Sequence, residues 1–300
     1  SFKLLSFYFY IMKLVLCFII VSMTFSSVSQ NLIPNGSFEN LDSCPVKAQQ
    51  IYLAKGWYTP FFTSFTNYFS TDFFHECAPD TVFRGTNLSV SVPRNFLGYQ
   101  KAYSGSAYAG FALYSGSVLI NQDINYRENL SIRLRKALDT NKLYKMTFFF
   151  NLADSVAYAL SKSSIGVYFS KDSARLQRSS PPKPLPFSPQ GILIDNQPNA
   201  FLNDTANWTK LIYHFRAQGG EKFITIGNFN YDSTTSFINL LPRSTGVAYY
   251  YIDDVSLIRL YEKDLSIQAI TTDSLCYFSD SRLQVEVQNN SPDTLNFTQT

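Results

Sequence analysis

The stretch Ala248–Leu257, Ala-Tyr-Tyr-Tyr-Ile-Asp-Asp-Val-Ser-Leu, places two adjacent carboxylates inside a run that is otherwise aromatic and β-branched. A run of that kind forms a strand that favours burial. Strict alternation puts Tyr249, Tyr251, Asp253, Val255 and Leu257 on one face and Tyr250, Ile252, Asp254, Ser256 and Ile258 on the other. One aspartate therefore shares the more apolar face, and a buried carboxylate requires a cation, a metal ion or several hydrogen-bond donors. The matching segment lies far upstream at Asn31–Glu39, Asn-Leu-Ile-Pro-Asn-Gly-Ser-Phe-Glu, which offers Glu39 beside a turn at Asn35-Gly36. The two segments are expected to meet, to close one β-sandwich and to hold a structural ion.

The rest of the chain supplies strands for that sandwich. Asn87–Val92, Ala107–Tyr114, Leu130–Leu134, Leu143–Leu152, Ile165–Ser170, Trp208–Phe215, Lys222–Phe229 and Tyr249–Ile258 are short, β-rich and bounded by Gly, Asn, Asp or Pro. Their spacing predicts an all-β jelly roll or a related sandwich. Within Leu143–Leu152, Tyr144, Met146, Phe148 and Phe150 alternate with Lys145, Thr147, Phe149 and Asn151, so the first set is predicted to face the core. The proline-rich stretch from Asp172 to Pro198 reads as an exposed excursion between two strands. After Ile258 the alternation restarts in Leu265–Ile270 and Leu283–Val287, the start of a second, Ig-like β domain. The expected division is residues 1–29 as upstream residues plus signal peptide, 30–260 as the jelly roll, and 261–300 as the opening of the Ig-like domain, with further domains downstream of this chain.

Twenty-seven Phe, twenty Tyr and only 16 % charged residues agree with a strand-built core. Met12-Lys13 followed by the apolar run Leu14–Met23 and by Ser26-Ser27-Val28-Ser29-Gln30 reads as a signal peptide starting at Met12 and cleaved near Ser29 or Gln30. The protein is thus expected to be exported, extracellular or on the outer cell surface, with no transmembrane span once the signal is removed. Loss of Lys3 and Lys13 with the leader lowers the formal charge from +3 to about +1. Such a balance gives no electrostatic case for nucleic acid as a partner. In an exported chain Cys44 and Cys77 are natural disulfide partners, and closing their loop would stabilise by about 3–4 kcal/mol in the chain-entropy model. The alternative, a metal held by these cysteines with His75 and Glu76, lacks a Cys-x-x-Cys pair. Cys276 has no visible mate within the chain.

No constellation for catalysis stands out. The chain has two histidines, His75 and His214, and lacks a Gly-x-Ser-x-Gly elbow, a His-Glu-x-x-His helix and a phosphate-cradling glycine loop. Asp154, Glu128 and Glu221 fall at strand ends or turns, where structural roles are common, and the chain reads as non-enzymatic. Between Trp57 and Phe74 aromatics crowd without a period. They either plug one end of the sandwich or present rings such as Trp57, Tyr58 and Tyr68 to a sugar. Arg127 and Asp154 are expected at the ends of neighbouring strands, where they make either a structural ion pair or a polar ligand pocket.

Taken together, Asn31–Glu39, Gly56-Trp57, Trp208 and Tyr249–Leu257 resemble the galactose-binding-like jelly rolls of carbohydrate-binding modules found beside glycanases. The middle of the chain, with Val92-Pro-Arg-Asn-Phe-Leu-Gly-Tyr-Gln100, Gly105-Ser-Ala-Tyr-Ala-Gly110, Tyr126-Arg-Glu128, Leu152-Ala-Asp-Ser155 and Gly219–Phe229, resembles secreted surface proteins of Bacteroidetes-type bacteria, often outer-membrane associated and carrying Ig-like, OmpA-like or gliding-type C-terminal domains. The resemblance covers residues 31 to 260. It implies a calcium ion tying the first segment to the last strand, with Glu39 and Asp253 at the ligand positions and Asp254 as the alternative. Hard oxygen ligands suit that ion, with backbone carbonyls completing the shell; a turn of backbone N–H groups could equally satisfy such carboxylates. Two functions follow as expectations: a non-catalytic module binding polysaccharide or cell-surface glycan, or a structural adhesin or envelope domain that binds no small ligand.

Overall fold

Alternating apolar residues turn this chain into a stack of strands, because each strand can bury one row of side chains only against a second sheet. The computed structural model describes residues 30–60, 71–80, 88–116, 125–173, 191–195, 198–241 and 246–260, with the backbone of Leu265–Thr272 and Leu283–Asn289. The expected signal peptide, Tyr68, Cys276 and most of the proline-rich excursion lie outside the described residues. In chain order the strands are β1 (Trp57–Tyr58), β2 (Asp72–His75), β3 (Arg94–Asn95), β4 (Gly98–Tyr99), β5 (Ala107–Ser115), β6 (Leu130–Arg133), β7 (Leu143–Leu152) and β8 (Tyr158–Leu160). There follow β9 (Gly166–Ser170), β10 (Ile192–Ile194), β11 (Thr209–Arg216), β12 (Phe223–Gly227), β13 (Phe237–Asn239), β14 (Val247–Arg259), β15 (Leu265–Thr272) and β16 (Leu283–Asn289). None of the helices among the described residues is long and apolar enough to cross a membrane.

Two five-stranded sheets form the sandwich, in the orders β11-β7-β14-β5-β2 and β1-β6-β12-β9-β10. The chain switches between the two sheets from β5 through β6 to β7, and again through β10, β11, β12 and, past β13, β14, as in a jelly roll. All the pairings are antiparallel. The core lies between the inner faces. Tyr144, Met146, Phe148 and Phe150 of β7 are buried there as predicted, with Leu211, Tyr213 and Phe215 of β11 beside them. Trp57, Ile132, Ile224 and Phe169 meet them as one cross-strand row of the opposing sheet. β15 and β16 form an antiparallel hairpin. The expected strand over Asn87–Val92 is not formed across its described residues. Leu88–Val92 runs as irregular chain, although the Val90 carbonyl accepts from His75 N at 3.1 Å and that of Ser89 from Phe96 N at 3.0 Å. β2, β8 and β13 are hidden from the periodicity because three or four residues are too few to alternate visibly.

The opening segment and β14 do meet. Leu32 N donates to the Leu257 carbonyl at 2.8 Å and Val255 N to that of Gly36 at 2.9 Å. A side-chain carbon on Gly36 would run into the Val255 carbonyl, so only glycine permits this approach. Asn31 seals the seam: its Oδ1 accepts from Leu257 N at 2.9 Å and Ile33 N at 3.0 Å, while its Nδ2 donates to the Val255 carbonyl at 3.2 Å. The Cys44–Cys77 disulfide, Cα–Cα 5.8 Å, closes the loop that carries β1 and β2.

Strict alternation along β14 fails at one point. The register against β7 shifts between Asp253 and Ser256, and Asp254 adopts φ +49°, so the strand carries a β-bulge. Asp253 stays on the outward face with Tyr249 and Tyr251, whereas Val255 and Leu257, assigned to that same face by parity, turn inward and are fully buried. Because the Asn31 side chain makes two bonds across the seam and one within the opening segment, Asn31→Ala is expected to lower unfolding free energy by about 1–3 kcal/mol. Urea denaturation checks this, and an unshifted midpoint would contradict the seam.

Candidate functional site

The outward face of the β11-β7-β14-β5-β2 sheet carries more polar chemistry than its burial suggests. Cross-strand neighbours set its rows: Lys210, Phe149 and Asp253 form one; Asn151, Tyr251, Gly110 and Asp72 form the next. Residues 95–104 roof this face. Asn95 donates through Nδ2 to the Tyr108 hydroxyl at 3.0 Å and accepts at Oδ1 from Tyr251 at 2.8 Å; Tyr108 in turn donates to the Gln100 carbonyl at 3.0 Å. Phe96 packs on Phe74 and Tyr249, at ring distances of 6.0 and 6.2 Å. The roof explains why aromatic and acidic side chains on an outward face are shielded from water.

Two carboxylates converge on the segment Tyr103–Ala107. Glu39 Oε1 accepts from Ser106 N at 2.9 Å and Ala107 N at 3.0 Å. Asp253 Oδ2 accepts from Ser104 N at 3.0 Å, and its Oδ1 accepts from Asp254 N at 2.6 Å. Between the two acids sits Gly105 at φ +65°, where a side-chain carbon would overlap the Glu39 carboxylate. Burial pushes the Asp253 carboxyl up to about 8, against the lowering effect of these N–H donors. The Ser106 hydroxyl donates to Glu76 Oε2 at 3.1 Å.

Among the described residues no lysine, arginine or histidine pairs with Glu39, Glu76 or Asp253. Nor does any group of three or more His, Cys, Asp or Glu there lie close enough to hold a metal ion. The donor set still suits a hard cation: acids without a counter-charge, oxygen atoms alone, and carbonyl-bearing backbone alongside. Asp254, half-buried at the bulge, is the other carboxylate at this point of β14.

A second pair of acids is sealed further along the same face. Asp72 Oδ1 accepts from Gln49 N at 2.5 Å, and its other oxygen accepts from the Tyr249 hydroxyl. Glu128 Oε2 accepts from Ala112 N at 2.7 Å and Oε1 from the Tyr126 hydroxyl at 2.9 Å. Desolvation raises both carboxyls above the usual range, and for Glu128 the nearby Asp72 adds to it. With 5 % and 6 % exposure they are structural acids and have no access to a substrate.

Above the clamp an aromatic shelf reaches solvent. The Tyr103 ring lies parallel to Phe149 with centroids 3.6 Å apart, yet Tyr103 is 45 % exposed. One face rests on Phe149, so the exposure belongs to the other face and the hydroxyl edge. Trp208 stands edge-on at 6.3 Å, its Nε1 donating to the Lys101 carbonyl at 3.0 Å. Lys210 Nζ lies 5.4 Å from the Phe149 ring centre.

The other residues singled out in the sequence fall elsewhere. Trp57 is core: 2 % exposed, stacked on Phe38 and donating from Nε1 to the Asn35 carbonyl at 2.6 Å, so it presents no ring to a ligand. Tyr58 is half-buried with its hydroxyl 3.1 Å from Ser173 Oγ. Arg127 does not pair with Asp154. It is buried against Asp232 at 2.7 Å, with Thr235 Oγ1 at 3.0 Å, because β6 begins beside the loop after β12. Asp154 instead accepts from Tyr99 N at 2.9 Å on the surface. Tyr103 was missed as a shelf residue; an aromatic between Ala102 and Ser104-Gly105, in a turn where burial is hard, was the available signal.

No family model matches the chain and no curated protein does. Distant likenesses exist among solved structures. A CBM22-1 xylan-binding domain from Paenibacillus barcinonensis is 12 % identical over 77 % of this chain and 95 % of its own, with TM-score 0.35. The K1 cleaved adhesin domain of Lys-gingipain from Porphyromonas gingivalis is 15 % identical over 74 % and 94 %, TM-score 0.30. The N-terminal cellulose-binding domain of a β-1,4-glucanase from Cellulomonas fimi is 11 % identical over 54 % and 83 %, TM-score 0.29.

Asp72 and Glu128 bind protons more tightly in the folded chain than in the unfolded one. Their contribution is therefore full at low pH and is lost as pH rises through the raised values. Wild type is expected to lose stability relative to Glu128→Gln between about pH 5 and about pH 8. Thermal melts of both proteins across that interval check the sign, and a parallel pH response would refute it.

Proposed function

We propose that this chain is a non-catalytic glycan-binding module of an exported, cell-surface protein, in which a sugar ring stacks on the outward face of Tyr103. The observation that carries the reading is an exposed ring held flat by Phe149 beneath it, with Trp208 as a fixed wall. A flat amphipathic surface backed by a second ring presents its π-face to the C–H groups of a pyranose and leaves its hydroxyl edge for polar contact. Because the backbone that bears Tyr103 is already bonded, little conformational freedom remains to be lost on binding. Calcium belongs to the same proposal: Glu39 and Asp253 would hold it, Asp254 being the alternative to Asp253, and its charge would offset acids that have no cationic partner among the described residues.

Full-length protein is to be tested on an array of plant, host and bacterial glycans and by affinity electrophoresis in soluble polysaccharide. Tyr103→Ala and Trp208→Ala should each weaken retention by about tenfold, the equivalent of 1.4 kcal/mol. Silence of the wild type on every glycan overturns the reading and favours a structural adhesin or envelope domain. For the ion, chelation with EDTA should lower the melting temperature by several degrees, as expected for a ligand bound well above its Kd and worth about 3 kcal/mol. Glu39→Ala should abolish that response; an unchanged wild-type melt excludes a structural calcium.

A further inference from the structure

We infer that Glu39 and Asp253 are positioning residues for the ring of Tyr103, holding by its backbone the segment that sets this ring on Phe149; the inference rests on reading that ring as the point of sugar contact. Three backbone N–H groups of the five-residue segment Tyr103–Ala107 are bonded to just two carboxylates: Ser104 to Asp253, Ser106 and Ala107 to Glu39. The acids come from opposite ends of the sequence, one from the opening segment and one from β14, so the segment is held against two elements that the seam has already joined. Gly105 lies between the two anchor points with a left-handed φ and no space for a side chain beside Glu39, which leaves the path of the segment no slack.

The ring and the clamp share one row of the sheet. Asp253 lies directly opposite Phe149 in the pairing of β14 with β7. The residue that bonds Ser104, next to Tyr103, is thus the immediate cross-strand neighbour of the residue that floors the Tyr103 ring, whose centroid lies 3.6 Å from that of Phe149. On the approach side, the carbonyls of Gln100 and Lys101 are held by Tyr108 and Trp208, both of them hydrogen-bond donors on the same face. Hydrogen bonds to a carboxylate are stronger than neutral ones. Removing the Glu39 carboxylate releases two neighbouring N–H groups at once, removing that of Asp253 releases the Ser104 N–H beside the ring, and either change frees the ring to leave its floor. A cation bound at the two acids would reinforce the same arrangement and is not required for it.

The test uses the full chain with and without soluble xylan and β-1,4-galactan as probes. Without sugar, amide exchange at residues 103–107 and iodide quenching of tryptophan are measured; of the two tryptophans Trp57 is 2 % exposed, so the quenchable signal reports Trp208. Glu39→Ala should speed exchange at Ser106 and Ala107 by about tenfold or more while the amides of Phe148–Phe150 keep their protection. Asp253→Ala should do the same at Ser104; if that variant does not fold, Glu39→Ala alone decides the clamp. Glu39→Gln retains the acceptor and should stay within about threefold of wild type. On whichever probe the wild type binds, Glu39→Ala should lose about tenfold in affinity, matching Tyr103→Ala. Unchanged exchange and quenching in Glu39→Ala overturn the clamp, whether or not sugar binds. Failure of the wild type to bind either probe, with exchange accelerated as described, leaves the clamp standing and counts against the glycan reading alone.

Discussion

One irregular residue organises this sandwich. The β-bulge at Asp254 lets β14 lie between β7 and β5 with Asp253 outward and Val255 and Leu257 inward, so a single strand serves the core and the acidic outer face. An aspartate tolerates the left-handed conformation better than most residues, and here its N–H also caps the neighbouring carboxylate. Everything the outer face does depends on that offset. Without it Val255 would be turned toward the roof, and the opening segment would lose the Val255 N–H that it binds through Gly36.

The same face shows how a sheet can carry acids out of water without cationic partners among the described residues. Asp72, Glu128 and Asp253 are each met by backbone N–H or tyrosine hydroxyl donors, and all three carboxyls are raised by burial. N–H donors stabilise the charged form, whereas burial disfavours it. The balance goes to burial at all three sites, so each of these carboxyls holds its proton more tightly than a solvated acid does. Arg127 is the contrasting case. It enters the interior with Asp232 beside it, and its interactions lock the loop after β12 to the start of β6.

Much of the fold was legible because its strands obey a period of two. Leu143–Leu152 is the clearest instance, since every inward prediction there corresponds to a buried side chain. The meeting of Asn31–Glu39 with Ala248–Leu257 was legible too, as was the pairing of Cys44 with Cys77. What escaped were features fixed by long-range geometry. A bulge leaves no trace in an alternating pattern, so the faces of Val255 and Leu257 were inverted. Arg127 had several acids within conceivable reach, and only the path of the loop after β12 selects Asp232. In the aromatic crowd around Trp57 composition alone cannot separate a core ring from an exposed one, and Tyr103, an exposed ring stacked on a second one, stands outside that crowd in a turn.

Gly105 has a consequence for how sequences related to this one can drift. Its missing side chain and the length of Glu39 occupy a single volume, so the two positions are not independent variables. A lineage that acquires alanine at 105 must displace the acid at 39 and strain a left-handed backbone, and shortening the acid relieves only the first of these. The segment between the two anchors also lacks a spare residue, so insertions and deletions should be accommodated in loops elsewhere, leaving the spacing from Tyr103 to Ala107 constant while the identities around it change.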